Sequence, residues 1–516
     1  MVADAGCAAK RSVRPPLLGL QKEAMAPLRI VGMARVQQGT IRTRRLRAAV
    51  LLAVLLSQTA CSTLGAVKNT FLGGSSPSGT SGQIEGFIGA VVADEPRAAL
   101  AGRNVLAQGG TAADAAVAVG FMLAVTLPSR AGLGGGGACL SYDPRSAGPG
   151  RGAPEAVMFT PVPGTGSGGD RPAAVPMLAR GLFALHARYG SKPFEGLLTP
   201  AEQLARFGGA PSRALLQDLA VVQGPLLADP NARAVFAPNG VVLTASGTLM
   251  QADLGGTIAQ LRTAGVGDFY QGALARRFEE ASRLAGANLV AADFRAALPR
   301  IGAPLVVRAG SDDVAFTPPP ADGGLGAAAA LQVLEKQPTD TAGAQARAMN
   351  VVAAWRAKGG DPLAVLAQSA NGAGPGTLPA LPASTGFVVV DRTGRSVICS
   401  LTMNNLFGTG RIAPGTGVLL AASPAVMTPP MLAAGIVWNR NTKQFRAAAT
   451  GTGQEGAPVA LAMGLEAALR GASTFRSPPE PGRLNLMTCG RYLPGHENEC
   501  VWAADQRGAG LAVGSN

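Results

Sequence analysis

Only two histidines occur in 516 residues, His186 and His496, and their scarcity limits the chemistry open to the chain. A Ser-His-Asp or Cys-His hydrolase needs an imidazole to accept the nucleophile's proton. His186 lies in Gly181-Leu182-Phe183-Ala184-Leu185-His186-Ala187-Arg188-Tyr189-Gly190, a helical stretch in which it reads as structural, and His496 sits in a Pro/Gly/Asn loop and reads as a surface residue. A base that works near neutral pH must therefore come from elsewhere. An α-amino group titrates at about 7.7 to 8.0 and can activate a Ser or Thr that carries it at a chain start. That chemistry requires an internal cut exposing such a residue. The six cysteines, Cys7, Cys61, Cys139, Cys399, Cys489 and Cys500, form no CxxC, which with two histidines argues against a zinc site. Cys489 and Cys500 either pair in an oxidising compartment or are two unrelated thiols.

Two glycine clusters fit GxGxxG, a pattern that needs a strand before it and a helix after it to cradle a dinucleotide. Gly132-Leu133-Gly134-Gly135-Gly136-Gly137 follows the turn Leu127-Pro128-Ser129-Arg130 and precedes the strand-like Ala138-Cys139-Leu140-Ser141-Tyr142, the reverse order. Gly451-Thr452-Gly453-Gln454-Glu455-Gly456 stands between a strand at Phe445 to Thr450 and a helix at Ala457 to Leu469, but no second βα unit or ribose-binding acid accompanies it. Backbone N–H groups at that helix start are instead suited to hold an oxyanion.

The elements that would position a nucleophile are also legible. Asn371 to Ala383 is a Gly/Pro loop, incompatible with helix or central strand, and it ends directly before Ser384-Thr385-Gly386-Phe387-Val388-Val389-Val390-Asp391. Ser396-Val397-Ile398-Cys399-Ser400-Leu401-Thr402 reads as the partner strand of a hairpin turning at Thr393-Gly394. Ala115 to Leu127 is apolar almost throughout, too short for a membrane span, and reads as a buried helix.

Composition sets the wider bounds. Hydrophobic residues make 47% and charged residues 15%, which excludes general disorder, and 70 Gly with 38 Pro show no collagen period. Aromatics are only 4%, so the core is built from Ala, Val and Leu, as in helices packed on sheets. The net charge of +14 suggests a nucleic-acid partner, yet residues 1–60 hold ten Lys or Arg against Asp4 and Glu23, leaving +6 for the rest, and no nucleic-acid partner is expected. Arg42, Arg44, Arg45 and Arg47, the apolar run Ala48 to Leu56 and then Ser57-Gln58-Thr59-Ala60-Cys61 have the order of a secretory signal. The Cys after the cut resembles a bacterial lipoprotein signal, with Gln58 where Leu is usual, and Met33 gives a more ordinary start than Met1. A periplasmic protein anchored by a lipid on Cys61 is expected, with Gly73 to Gly82 as a flexible tether.

Ala107-Gln108-Gly109-Gly110-Thr111-Ala112-Ala113-Asp114-Ala115-Ala116-Val117-Ala118-Val119-Gly120, continuing to Leu133-Gly134-Gly135-Gly136-Gly137, resembles the start of the gamma-glutamyltranspeptidase family. The likeness continues collinearly through Leu198-Thr199-Pro200-Ala201, Asp268-Phe269-Tyr270-Gln271-Gly272, Pro318-Pro319-Pro320 with Gly323-Gly324, and Asn404-Asn405-Leu406-Phe407-Gly408-Thr409-Gly410, covering about residues 86 to 470. The resemblance implies an N-terminal nucleophile hydrolase, an α+β four-layered αββα sandwich whose precursor cleaves itself and whose new first residue attacks the γ-amide of a small-molecule or peptide substrate. The residues themselves give a signal region over 1–60 and a tether over 61–85, and the resemblance implies a large part over 86–383 and a small part over 384–516, the two parts staying together as subunits. It places Ser384 at the nucleophile position, with Thr385 taking that role under a one-residue shift. Thr402 would hydrogen-bond the nucleophile, Asn404 would contact the substrate's α-amino end, and Gly453, Gln454 and Glu455 would supply the oxyanion turn. Nothing in the sequence calls for a metal, flavin or nucleotide cofactor.

The recognition residues depart from the pattern. Phe159 is followed by Thr160 where the family has the Arg that clamps the γ-glutamyl carboxylate. Ala421 to Val426 offers neither the Gln nor the Asp that binds the substrate amine, Pro430-Met431 stands in place of a Ser pair, and Gln454-Glu455 replaces a glycine pair. The sequence thus leaves two readings, an autoprocessed amidohydrolase or acyltransferase whose substrate need not be glutathione-like, and a lipoprotein scaffold that keeps the fold without turnover.

Overall fold

A computed structural model describes residues 86–145, 152–368, 381 and 383–515. The signal region over 1–60, Cys61, the tether over 61–85 and most of the loop at 371–383 lie outside the described residues. In chain order the strands are β1 Gly89–Ala93, β2 Gly136–Tyr142, β3 Glu155–Phe159, β4 Val162–Pro163, β5 Ala174–Val175, β6 Arg300–Gly302, β7 Leu305–Ala309, β8 Asp312–Phe316, β9 Ser384–Asp391, β10 Ser396–Thr402, β11 Ile412–Ala413, β12 Val418–Leu419, β13 Ala433–Asn439, β14 Gln444–Thr452, β15 Arg483–Leu493, β16 Cys500–Ala504 and β17 Leu511–Ser515.

One sheet has the order β17-β1-β9-β10-β2-β3-β6 and a second the order β16-β15-β14-β13-β8-β7. Every neighbour in both is antiparallel. Strands from both sides of residue 384 share each sheet, so a cut there would not separate the two parts.

Side chains alternate between faces along a strand, and the alternation in β9 shows how the layers stack. Val388 and Val390 join Ile398 and Leu140 of their own sheet and Ile436, Ala448 and Met487 of the other in one cluster, so the sheets pack face to face. Phe387 and Val389 join Val117, Phe121 and Leu182 of the helices Ala112–Thr126 and Leu178–Tyr189. On the outer face of the second sheet, Val437 and Ala449 pack against Leu331, Leu461 and Leu465 of the helices Gly323–Leu334 and Ala457–Leu469. The layers run helix, sheet, sheet, helix, the αββα sandwich expected.

All eight residues of β9 are buried. A strand buried on both faces has no exposed side to fix its phase; here Gly386 fixes it, since a Cβ at that position would lie 2.5 Å from the Thr450 hydroxyl, so a one-residue slip that brought Thr385 or Phe387 there would clash. The register that sets the direction of Ser384 is held by this close packing.

The expected hairpin forms, with Gly394 at φ 82 in its turn. The apolar stretch near 115–127 is the helix Ala112–Thr126, buried at every position and opened by a capping box between Thr111 and Asp114. No helix among the described residues is long and apolar enough to cross a membrane. Cys489 and Cys500 form a disulfide across directly paired positions of β15 and β16. A second disulfide, Cys139–Cys399, joins directly paired positions of β2 and β10; its partners are 260 residues apart, and no local spacing announced it.

Candidate active site

Ser384 opens β9 and lies directly opposite Thr402, the last residue of β10. The pairing puts both side chains on the face turned toward the second sheet, the face of Val388 and Ile398. The Thr402 hydroxyl donates to the carbonyl oxygen of Ala383 at 2.5 Å, and the backbone N–H of Asn404 donates to the Thr402 hydroxyl at 2.7 Å. The carbonyl of the Ala383–Ser384 peptide, the bond a self-cleaving precursor would break, is thereby polarised by a donor that is itself held in place. Ser384 is 8% exposed, and among the described residues its hydroxyl has no hydrogen-bond partner. It is free to turn toward the Ala383 carbonyl carbon.

Asn404 adopts φ 63, a left-handed conformation that Asn tolerates better than most residues. Its Nδ2 donates to Ala422 O at 2.8 Å, while its buried Oδ1 has no partner. A buried unpaired acceptor suits a donor group on a ligand.

Thr385 points the other way. By strand alternation it shares the helical face with Phe387, and its hydroxyl donates to Asp94 Oδ2 at 2.8 Å. The Gly386 N–H donates to the same oxygen at 3.1 Å, and Asn485 Nδ2 donates to Asp94 Oδ1 at 2.7 Å and to Gly386 O at 3.0 Å. The geometry that Ser384 has with Thr402 and the Ala383 carbonyl is not repeated at Thr385. Asp94 and Asn485 were not among the sequence candidates. Asp94 stands before Glu95-Pro96 and looks like a helix cap, but Glu95 fills that role through a bond from Ala98 N to its Oε2.

Thr450 of β14 packs on Gly386 so closely that a Cβ there would lie 2.5 Å from the Thr450 hydroxyl. Just beyond it β14 ends, and the turn at Gly453, Gln454 and Glu455 leads through a 3-10 turn into the helix Ala457–Leu469. Gly453 has φ 96, and a Cβ would meet Pro481 O at 2.0 Å, so only glycine fits. Gln454 has φ 56. The first N–H groups of such a start have no acceptor within the helix and carry partial positive charge. Gln345 Nε2 donates to Glu455 O at 2.8 Å, and among the described residues no hydrogen bond links the turn to Ser384.

The recognition side is apolar. Thr402 pairs with Gly136, and a Cβ on Gly136 would meet Phe159 O, so Phe159-Thr160 lies on the same sheet edge as Ser384, three strands along. At about 4.8 Å per strand this is about 14 Å. Ala422 bridges to Ala173, Ser423 N donates to Pro172 O, and Met431 and Leu432 are buried. No charged group from these segments meets Asn404.

The histidines serve elsewhere. His186 Nε2 lies 2.8 Å from Lys192 O and 3.3 Å from Asp114 Oδ1, and its hydrogen bond to Asp114 raises its pKa against the opposing effect of burial. Burial works to raise the Asp114 carboxyl, but hydrogen bonds from His186, Thr111 and Ser191 outweigh it and hold the group far below the usual carboxylate range. His496 is half-exposed beside Glu499.

A profile of the family described as "Gamma-glutamyltranspeptidase" matches residues 98–371. The chain is 27% identical over 400 residues to Glutathione hydrolase 3 of Arabidopsis thaliana, covering 68% of this chain and 62% of that protein. It is 28% identical over 383 residues to the Glutathione hydrolase proenzyme of Escherichia coli, covering 64% and 65%. The chain thus spans somewhat under two thirds of the length of these relatives. The crystal structure of cephalosporin acylase from Bacillus halodurans superposes with a TM-score of 0.67 at 16% identity over 85% of this chain and 98% of that one, which shows a shared fold. With the collinear motifs, the profile match over more than half of its length and this shared architecture, the chain belongs to the gamma-glutamyltranspeptidase family.

Proposed function

We propose that this protein is an autoprocessed enzyme that hydrolyses or transfers a γ-glutamyl or related acyl group from an amide, with Ser384 as nucleophile. The observation that carries the proposal is the Thr402 hydroxyl on the Ala383 carbonyl, directly beside the unengaged Ser384 hydroxyl. In self-cleavage Ser384 Oγ bonds to the Ala383 carbonyl carbon, the bond from that carbon to the Ser384 nitrogen breaks, and the Oγ proton passes to the nitrogen. Water then cleaves the ester, which releases Ala383 as a carboxylate and restores the hydroxyl. The freed α-amine is the base the two histidines do not supply. It takes the Oγ proton as Ser384 attacks the substrate amide and gives it to the leaving amine. The acyl-enzyme passes its acyl group to water or to an acceptor amine, and the N–H groups at Gln454-Glu455 are suited to the oxyanion.

The curated relatives are named for glutathione hydrolysis, which supports a γ-glutamyl amide as the first substrate to try. Thr160, Ala421-Ala422 and Met431 in place of charged and hydroxyl groups favour an acyl group whose end is less polar than an amino acid's. We place the enzyme in the periplasm, attached by a lipid on Cys61. The order of residues 42 to 61 and the two disulfides support that location.

The test is denaturing electrophoresis with intact-mass analysis of the wild type beside Ser384→Ala and Thr385→Ala. Two chains are expected from the wild type, the smaller beginning at Ser384, and one uncut chain from Ser384→Ala. A wild type that stays uncut under all conditions would favour the scaffold reading instead.

A further inference from the structure

We propose that Asp94, held by Asn485, is a positioning residue for Ser384; the inference rests on Ser384 being the nucleophile. The reason lies in how the ladder around β9 ends. On one side β10 pairs with β9 as far as Ser384, but on the other side β1 stops at Ala93, opposite Phe387. Ser384, Thr385 and Gly386 therefore overhang the sheet with a strand on one side only. After self-cleavage this overhang is a free chain end, which would fray without another restraint.

Asp94 occupies the place where β1 would have continued. Its Oδ2 takes the Gly386 N–H that a longer β1 would have paired, and also the Thr385 hydroxyl. Its Oδ1 takes Asn485 Nδ2, which also donates to Gly386 O. Asn485 belongs to β15 of the second sheet, opposite Thr450 in register, and Thr450 packs on Gly386. One carboxylate and one amide thus bolt the overhang to both sheets, and the absence of a Cβ at residue 386 permits the close approach. Asp94 forms no salt bridge among the described residues; its side-chain hydrogen bonds all go to members of this clamp, and its charge is also felt by the Arg130 guanidinium.

A shift of about 1 Å at a reacting group can cost about 100-fold in rate, so loosening the overhang should slow attack while leaving substrate affinity nearly intact. The effect should be larger after the cut than before it, because in the precursor Ala383 still restrains Ser384 from the other side. A carboxylate needed only for stability would show neither asymmetry.

The experiment uses the full chain as wild type, Asp94→Asn and Thr385→Val. It measures the self-cleavage rate, kcat and KM on a chromogenic γ-glutamyl anilide, and melting temperature. Asp94→Asn is expected to lower kcat about 10- to 100-fold with KM within about twofold, to slow self-cleavage by less than it lowers kcat, and to leave the melting temperature nearly unchanged. Thr385→Val, which removes one of the three bonds to Asp94, should move kcat in the same direction by a smaller factor, and it decides the matter if Asp94→Asn does not fold. A wild-type kcat in the variants, or losses of kcat, self-cleavage and melting temperature in step, would overturn the proposal. If the wild type cleaves itself but does not turn over the anilide, the self-cleavage rates decide, and equal rates in wild type and variants overturn it. An uncut wild type refutes the nucleophile reading and this inference with it; a cut wild type with unaltered variants refutes only the inference.

Discussion

The end of the sheet that carries Ser384 and the wall that would face its substrate are built on different physical grounds. Around Ser384 the polar groups are placed by backbone pairing: β9 against β10 sets Thr402 opposite Ser384, and the chain following β10 brings the Asn404 N–H onto the Thr402 hydroxyl. That arrangement is held by a core buried on both faces of the strand. The segments at Thr160, Ala421-Ala422 and Met431, which by the family resemblance would recognise the substrate, lie in loops between the strands, and there the charged and hydroxyl groups that the resemblance calls for are replaced by a threonine and by apolar residues. The difference teaches that the reacting groups and the recognising groups of this fold vary separately, so that the bond-breaking machinery can stand while the acyl group it selects changes.

The sharpest way to break this comparison is at Thr402. Thr402→Val removes the donor to the Ala383 carbonyl with little change of volume and is expected to slow self-cleavage about 100- to 1,000-fold, the effect of losing one oxyanion-type donor. A time course of chain cutting on gels measures it. Cutting at the wild-type rate would mean that the Thr402 hydroxyl, however well the pairing places it, does not prepare this bond.

The recognition side offers a smaller effect of opposite sign. Thr160→Arg restores a cation three strands from Ser384, and a charge-assisted hydrogen bond contributes about 1.5 to 3 kcal/mol. Raised kcat/KM on a γ-glutamyl anilide, by about 10-fold, is expected, with no change on an anilide of a neutral acyl group of similar size. Equal gains on both would show that the wall does not select by charge.

What the sequence discloses follows the same division. The hairpin, the buried helix Ala112–Thr126 and the strand–turn–helix around Gly453 were legible because continuous apolar runs and Gly or Pro punctuation mark them locally. The face to which Ser384 and Thr385 turn was not, because β9 is buried on both sides and its apolar run carries no alternation to set the phase. Asp94 and Asn485 were invisible for another reason: they stand 391 positions apart, and only the packing of one sheet on the other brings them together. The Cys139–Cys399 pair is hidden likewise by a separation of 260 positions.

The His186–Asp114 pair tests whether a titrating pair elsewhere in the fold is independent of the nucleophile. Asp391, the last residue of β9, accepts a bond from Ala112 N at the start of the helix that carries Asp114. The pair therefore lies near the end of β9 opposite Ser384, seven residues or about 23 Å away. The raised pKa of His186 means that its contribution to stability is fully present below the ordinary histidine value of 6.5 and is lost as pH rises through the folded value. The lowered Asp114 contributes stability that is present above the ordinary carboxylate value of 3.8 and is lost as pH falls toward the folded value. Both contributions coincide between these limits. His186→Gln should remove the decline in melting temperature expected of the wild type as pH rises above 6.5, a difference of about 1 °C for a folded body of this size if the pair contributes ~1 kcal/mol. The pH profile of kcat should stay where it is, since the base proposed is the Ser384 amine. An acid limb that moved with His186→Gln would mean that the imidazole reaches the chemistry after all, and the separation between the two ends of β9 would fail.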